Sequence, residues 1–234
     1  QILFLMRIRT QNINMQIGRK TLLHSLSVDL ESNKLHLILG PNGAGKSTLI
    51  KLLSHQLKPT SGNVFYDGKN IFDFKVAELA RFRAVLSQNI DFAFPLTVKE
   101  VVMMGRYPHF KAQPKKTDRD IVEESMDQFG IGNFENRDYT SLSGGEKQRV
   151  QFARIMAQIW PEDDAPKLLF LDEPLTFLDV KFQYEFLNKI QGLLQKQNLT
   201  VIGVLHDLNL AARFADNLLL LHEGRLMASG TKEE

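Results

Sequence analysis

The 234-residue sequence predicts an α/β fold with a mainly parallel sheet, and three observations carry that prediction. Short apolar runs suited to buried strands lie at 35–39, 167–171, 201–205 and 218–221. Helical stretches separate them, the alternation that favours parallel strands. Three of the runs stop at residues with chemistry in them: Gly40 after the first, Asp172 and Glu173 after the second, His206 after the third. Ligands of open α/β sheets sit at the carboxyl ends of strands, so three separated segments point at one crevice.

Composition bounds what that crevice can belong to. With 43% hydrophobic residues the chain can bury one substantial core with a subdomain attached, but is too short for two ordinary domains, so 1–234 reads as a single domain. Lys and Arg (29) nearly balance Asp and Glu (27), so no global field argues for nucleic acid or an anionic surface, and any phosphate site must be local. The absence of cysteine removes disulfides, zinc-thiolate sites and thiol catalysis, and suits a reducing compartment such as the cytosol. No run approaches the roughly 20 apolar residues of a spanning helix, so the chain itself is expected not to cross a membrane. The apolar opening 1–5 lacks the basic flank and cleavage site of a signal peptide, and both it and the charged stop at Glu234 read as trimmed ends.

In chain order, 3–30 and 63–74 read as twisted antiparallel hairpins around turn residues such as Asp67 and Gly68. The middle third changes character. Thr97 with Glu100 three residues on is a capping box for a helix, the polar stretch 111–117 follows, and a second helix ends near Gly130. Residues 88–160 therefore read as a helical subdomain.

The first strand end carries the sharpest motif. Gly40, Pro41, Asn42, Gly43, Ala44, Gly45, Lys46, Ser47 and Thr48 fit G-x-x-x-x-G-K-[ST] after a strand and before a helix, the context a phosphate loop requires. Glycines let the backbone amides converge on phosphates, and the following helix adds the positive end of its dipole. Lys46 is expected to reach the β and γ phosphates of a bound nucleotide, and the Ser47 hydroxyl to ligate Mg²⁺.

The second strand end carries paired carboxylates, costly to desolvate without a cation or a proton. Taken alone, an Asp-Glu pair after a strand is more often a solvated turn. Beside a phosphate loop in this α/β order, Asp172 reads as the Mg²⁺ holder, directly or through water, and Glu173 as the base that polarises the attacking water. Ser143 with Glu146 is another capping box, and that alone would explain a well-started helix. It does not explain Gly144 and Gly145, which lower helix propensity while baring amides suited to a phosphate. A lone histidine such as His206 is usually packed or on the surface; its alignment with the other two strand ends lifts it above that.

Together these residues resemble the ABC transporter nucleotide-binding domain along nearly the whole chain: the phosphate loop, Gln88 in Leu-Ser-Gln, Leu142, Ser143, Gly144, Gly145 and Glu146 followed by Lys-Gln-Arg, the carboxylates, then His206. The resemblance implies a P-loop ATPase with a RecA-like core, an antiparallel β subdomain and a helical subdomain. It implies a head-to-tail dimer in which Ser143 and Gly145 of one subunit close on the γ phosphate bound by the other. It further implies Gln88 as a Mg²⁺ ligand and link to the permease, Asp179 as the D-loop contact across the dimer, and His206 as the switch at the γ phosphate. The partners implied are a second copy, transmembrane permease subunits and, indirectly, a periplasmic or surface substrate-binding protein. The place implied is the cytoplasmic face of the bacterial inner membrane.

The stretch 101–109 is similar to importers of iron chelates and cobalamin, and 150–160, the Pro-rich insertion before Lys167 and 205–213 are similar to hemin-importer ATPases. Hemin is the expected cargo, with a ferric siderophore or cobalamin as the alternative. Two departures stand out. Ile17 occupies the place where many relatives carry an aromatic against adenine, and Leu175, Thr176 and Phe177 replace the usual Thr and small residues. His109 tempts a heme-ligand reading, which the cargo's passage through a permease disfavours. A soluble ABC ATPase acting on nucleic acid or the ribosome would use the same catalytic set, but such proteins carry long coiled-coil or tandem insertions that this sequence lacks. A regulatory paralogue without hydrolysis is disfavoured because no catalytic position is lost.

Overall fold

A computed structural model of the chain describes residues 6–87, 92, 94–196 and 198–231. Its centre is a six-stranded sheet of β4 (Leu35–Leu39), β7 (Arg83–Leu86), β8 (Lys167–Asp172), β9 (Leu199–Val204), β10 (Asn217–His222) and β11 (Arg225–Thr231), in the order β11-β10-β4-β9-β8-β7. The pairings β10·β4, β4·β9, β9·β8 and β8·β7 are parallel, and only β11 runs antiparallel. The four expected runs fall on β4, β8, β9 and β10; β7 is an addition, because Arg83 and its flanking polar residues hide a four-residue strand.

Every residue of β4, β8 and β9 is buried, which is why these strands read as continuous apolar runs. Their two faces enter different cores. Leu35, Leu37, Leu39, Leu169 and Leu171 pack with α5 (Gly144–Gln158), α6 (Val180–Lys196) and α7 (Leu208–Phe214). Ile38, Leu168, Phe170, Ile202 and Leu221 pack instead with α1 (Lys46–Leu53) and the second sheet. That sheet is antiparallel throughout, from β1 (Ile8–Ile17), β2 (Lys20–Leu26), β3 (Asp29–Leu30), β5 (Ser61–Tyr66) and β6 (Lys69–Asn70), ordered β2-β1-β5-β6 with β3 on β1.

After α2 (Val76–Phe82) and β7, the chain runs through α3 (Val98–Met103) and α4 (Lys116–Gln128) to α5. Both expected capping boxes form. The Thr97 hydroxyl accepts from the Glu100 amide at 3.2 Å while Glu100 accepts from the Thr97 amide at 2.8 Å, and Ser143 and Glu146 exchange the same pair at 3.3 and 2.8 Å. α4 stops at Gly130, whose left-handed φ of 63° favours glycine.

A fully buried histidine gives the fold a pH dependence. His36 on β4 has no exposure, its Nε2–H donates to the Glu31 carbonyl at 2.7 Å, and burial, the largest influence, lowers its pKa and favours the neutral ring. The unfolded chain binds a proton near the ordinary histidine value while the folded chain resists it. Stability is therefore complete above that value and is lost as pH falls below it. We expect the melting temperature to drop between pH 7.5 and 5.5 and the drop to shrink in His36→Gln; an unchanged slope in the variant would assign the effect elsewhere.

Candidate functional site

Three strand ends of the central sheet build the site. Residues 40–45 wrap from β4 into α1, and the wrap needs glycine at two points where other backbone presses in. A Cβ on Gly40 (φ 148°) would lie 2.1 Å from the Leu221 carbonyl oxygen, and one on Gly45 (φ 97°) would lie 2.8 Å from that of Leu22. Lys46 is 5% exposed and folds back into the loop, its Nζ donating to the carbonyls of Gly40 at 2.8 Å and Pro41 at 3.0 Å.

Ser47, one residue further, donates its hydroxyl to Asp172 Oδ1 at 2.8 Å, joining α1 to the end of β8. Asp172 is 6% exposed. Burial raises its pKa, the Ser47 hydroxyl lowers it, the neighbouring Glu173 raises it, and Lys51 and Lys46 lower it. An anion so placed needs a cation, and a hydroxyl beside a carboxylate is the hard oxygen pair that suits Mg²⁺.

Glu173 leaves β8 with a left-handed backbone (φ 51°), which turns its side chain from the strand toward the end of β9. There Glu173 Oε1 meets His206 Nε2 at 2.7 Å, with Glu173 18% and His206 46% exposed at the side chain. Phosphate loop, Glu173 and His206 line a cleft of ≈ 610 Å³, closed on one side by Lys20 and Leu22 of β2. That wall was not legible beforehand, because nothing local in the 20–22 segment shows that the hairpin folds over the loop. Ile17, at the hairpin tip, is 59% exposed.

Of the remaining expected residues, those that are described do not line this cleft. Gln88 lies outside the described residues. Leu142 is buried, Ser143 caps α5, and Gly144, Gly145 and Glu146 form its first turn; none of 142–146 lines the cleft among the described residues. Asp179 accepts from the Phe182 amide at 3.0 Å, capping α6. His109 Nε2 is engaged by the Gln158 carbonyl at 2.7 Å and its ring sits beside Glu162, a packed structural histidine. Sequence reasoning missed Gln148, whose side chain reaches the Pro174 carbonyl, and the fold of Phe177 over Gly144.

Residues 23–176 match the ABC transporter family. The chain belongs to that family. It is an ATP-hydrolysing member, and the ABC ATPase has close relatives by sequence as well as by shape. Hemin import ATP-binding protein HmuV of Agrobacterium fabrum is 44% identical over 95% of this chain and 85% of its own length. The protein of the same name from Methylobacillus flagellatus is 41% identical over 92% of this chain and 80% of its own. A solved dimeric bacterial ABC transporter cassette superposes with a TM-score of 0.83 at 26% identity, covering 96% of this chain and 98% of that one. Among the described residues of the ABC ATPase, no helix is long and apolar enough to cross a membrane.

Proposed function

We propose that this chain is the ATPase subunit of an importer that takes hemin across the bacterial inner membrane, working as a head-to-tail pair under a permease. The observation that carries the chemistry is the convergence of Lys46, Ser47 and the Glu173–His206 pair on one cleft, with Asp172 buried behind Ser47 and bonded to its hydroxyl. Hemin as cargo rests on the two HmuV relatives. The substrate-binding protein acts through the permease and never touches this chain.

In this reading the amides of 40–48 cradle the phosphates of ATP, and Lys46 leaves the Gly40 and Pro41 carbonyls for the β and γ oxygens. Ser47 and Asp172, with Gln88, would hold Mg²⁺, and the ion would supply positive charge against the oxygens of the β and γ phosphates. Glu173 accepts a hydrogen bond from the attacking water and orients it, while His206, across 2.7 Å, holds that carboxylate and contacts the γ phosphate. Ser143 and Gly145 offer their hydroxyl and amides to the γ phosphate of the partner copy, and Asp179 meets that copy at the same seam. Closure of the pair moves the helices of 88–160 against the permease.

The phosphate contact of Lys46 is tested by substitution. Lys46→Ala removes a charge-assisted donor worth ~1.5–3 kcal/mol, so ATP affinity should fall roughly 10- to 100-fold in calorimetric titration. An affinity within twofold of the parent would remove Lys46 from the phosphate cradle. The membrane role is tested by fractionation: tagged protein is expected to sediment with membranes and to bring a permease with it. Recovery wholly in the soluble fraction, with no membrane protein attached, would turn the reading toward the soluble class.

A further inference from the structure

We infer that Gln148 is a positioning residue for hydrolysis: it holds the turn that carries Glu173 and so ties the carboxylate of one nucleotide site to the helix that serves the other. The coupling half of this rests on the head-to-tail pairing proposed above; the positioning half rests on the geometry of a single chain.

Glu173 bears a side chain, stands in the left-handed region at φ 51°, and directly precedes Pro174, whose ring crowds the residue before it. Such a conformation persists only where the surroundings over-determine it. Three side chains brace the turn. The Thr176 hydroxyl donates to the Glu173 carbonyl at 3.1 Å, Gln183 Nε2 donates from α6 to the Leu178 carbonyl at 3.0 Å, and Gln148 Nε2 donates to the Pro174 carbonyl at 2.7 Å. Two of these are local or come from the helix that follows. Gln148 alone of the three reaches in from α5, little more than one turn beyond Ser143.

An apolar contact doubles the attachment. A Cβ on Gly144 would stand 3.6 Å from the Phe177 ring, and one on Gly145 3.4 Å from the Phe177 carbonyl oxygen, so the 173–179 turn lies directly on the first turn of α5. A Cβ at either position would be in ordinary van der Waals contact with Phe177. A shift of the α5 start, such as a γ phosphate of the partner copy would impose, is therefore delivered through Gln148 to the peptide next to Glu173.

The test compares donor-removing variants in steady-state ATP hydrolysis by the full-length protein. Gln148→Met keeps the side-chain length and loses the donor. It should lower kcat about 10- to 100-fold, as a displaced catalytic group does, leave KM within twofold, and bring the Hill coefficient for ATP toward 1. Gln183→Met, which loosens the same turn from α6, should lower kcat while keeping the parental Hill coefficient. A Gln148→Met enzyme with kcat within twofold of the parent, or one that loses KM and thermal stability together, would overturn the positioning role. A parental Hill coefficient of 1, or the same change in both variants, would overturn the coupling. If Gln148→Met does not fold, Gln148→Glu, equal in length but unable to donate at neutral pH, must give the same pattern, and failure of both to fold would make the residue structural. A parent without ATP hydrolysis would instead contradict the function proposed above.

Discussion

Glu173→Gln is expected to retain ATP and to lose at least ~10²-fold in turnover, the scale of a positioned general base. The substitution keeps size and a hydrogen-bonding oxygen but withdraws the negative charge that orients water. Its neighbours remain: Ser47 and Asp172 still meet at 2.8 Å, and the amide oxygen can still accept from His206. ATP should then bind and stay, so the variant should elute as a dimer with ATP on size exclusion and as a monomer without it. Turnover within threefold of the parent would take the base assignment from Glu173. Loss of ATP affinity would mean that its carboxylate serves binding instead.

The largest expected effect on stability lies far from the nucleotide cleft. Arg106 is 1% exposed at the side chain, donates Nε to Asp118 at 3.0 Å and its terminal nitrogens to the Ala157 carbonyl at 2.8 Å and to both Glu162 oxygens at 2.9 and 3.0 Å. One side chain thus fastens the start of α4, the end of α5 and the loop before β8. Its neighbour Gly105 permits this, since a Cβ there would stand 2.1 Å from the Arg154 carbonyl oxygen of α5. Removing one partner from a buried ion pair leaves the other charge uncompensated, which costs ~3–5 kcal/mol. Asp118 is 4% exposed at its side chain and would bear that charge, whereas Glu162, at 42%, can turn to water. Arg106→Met should therefore lower the melting temperature by roughly 10 °C in a chain of this size. A shift under about 2 °C in a calorimetric scan would mean that the network is dispensable.

These two expectations differ in how far the sequence foretold them. The strand ends were legible because phosphate chemistry demands particular residue types at fixed spacing: Gly40, Gly45, Lys46 and Ser47 declare themselves, and Asp172 and Glu173 gain meaning beside them. The central strands were legible because burial on both faces leaves a solid apolar run, and the helix starts because Thr97 with Glu100 and Ser143 with Glu146 form local pairs. The Arg106 cluster was not legible, since 106, 118, 157 and 162 have no periodicity that one helix or strand would impose. Nor was the Gln148 contact to Pro174, which crosses 26 residues between two elements that only the folded sheet brings together. The same holds for Lys20 and Leu22, which reach the cleft because β2 is laid over the phosphate loop. Local patterns show which residues can do chemistry, while the residues that aim them are set by tertiary packing.

The central claim, that ATP hydrolysis here powers hemin uptake, is tested most directly by reconstituting the chain with its co-purifying permease in liposomes and measuring ATP turnover with substrate-binding protein loaded with hemin, with a ferric siderophore or with cobalamin. Stimulation several-fold above the unloaded binding protein with hemin, and not with the other two, is the predicted result. Stimulation by another chelate alone would keep the importer and contradict hemin, and turnover indifferent to permease and to every loaded binding protein would contradict the transport role itself.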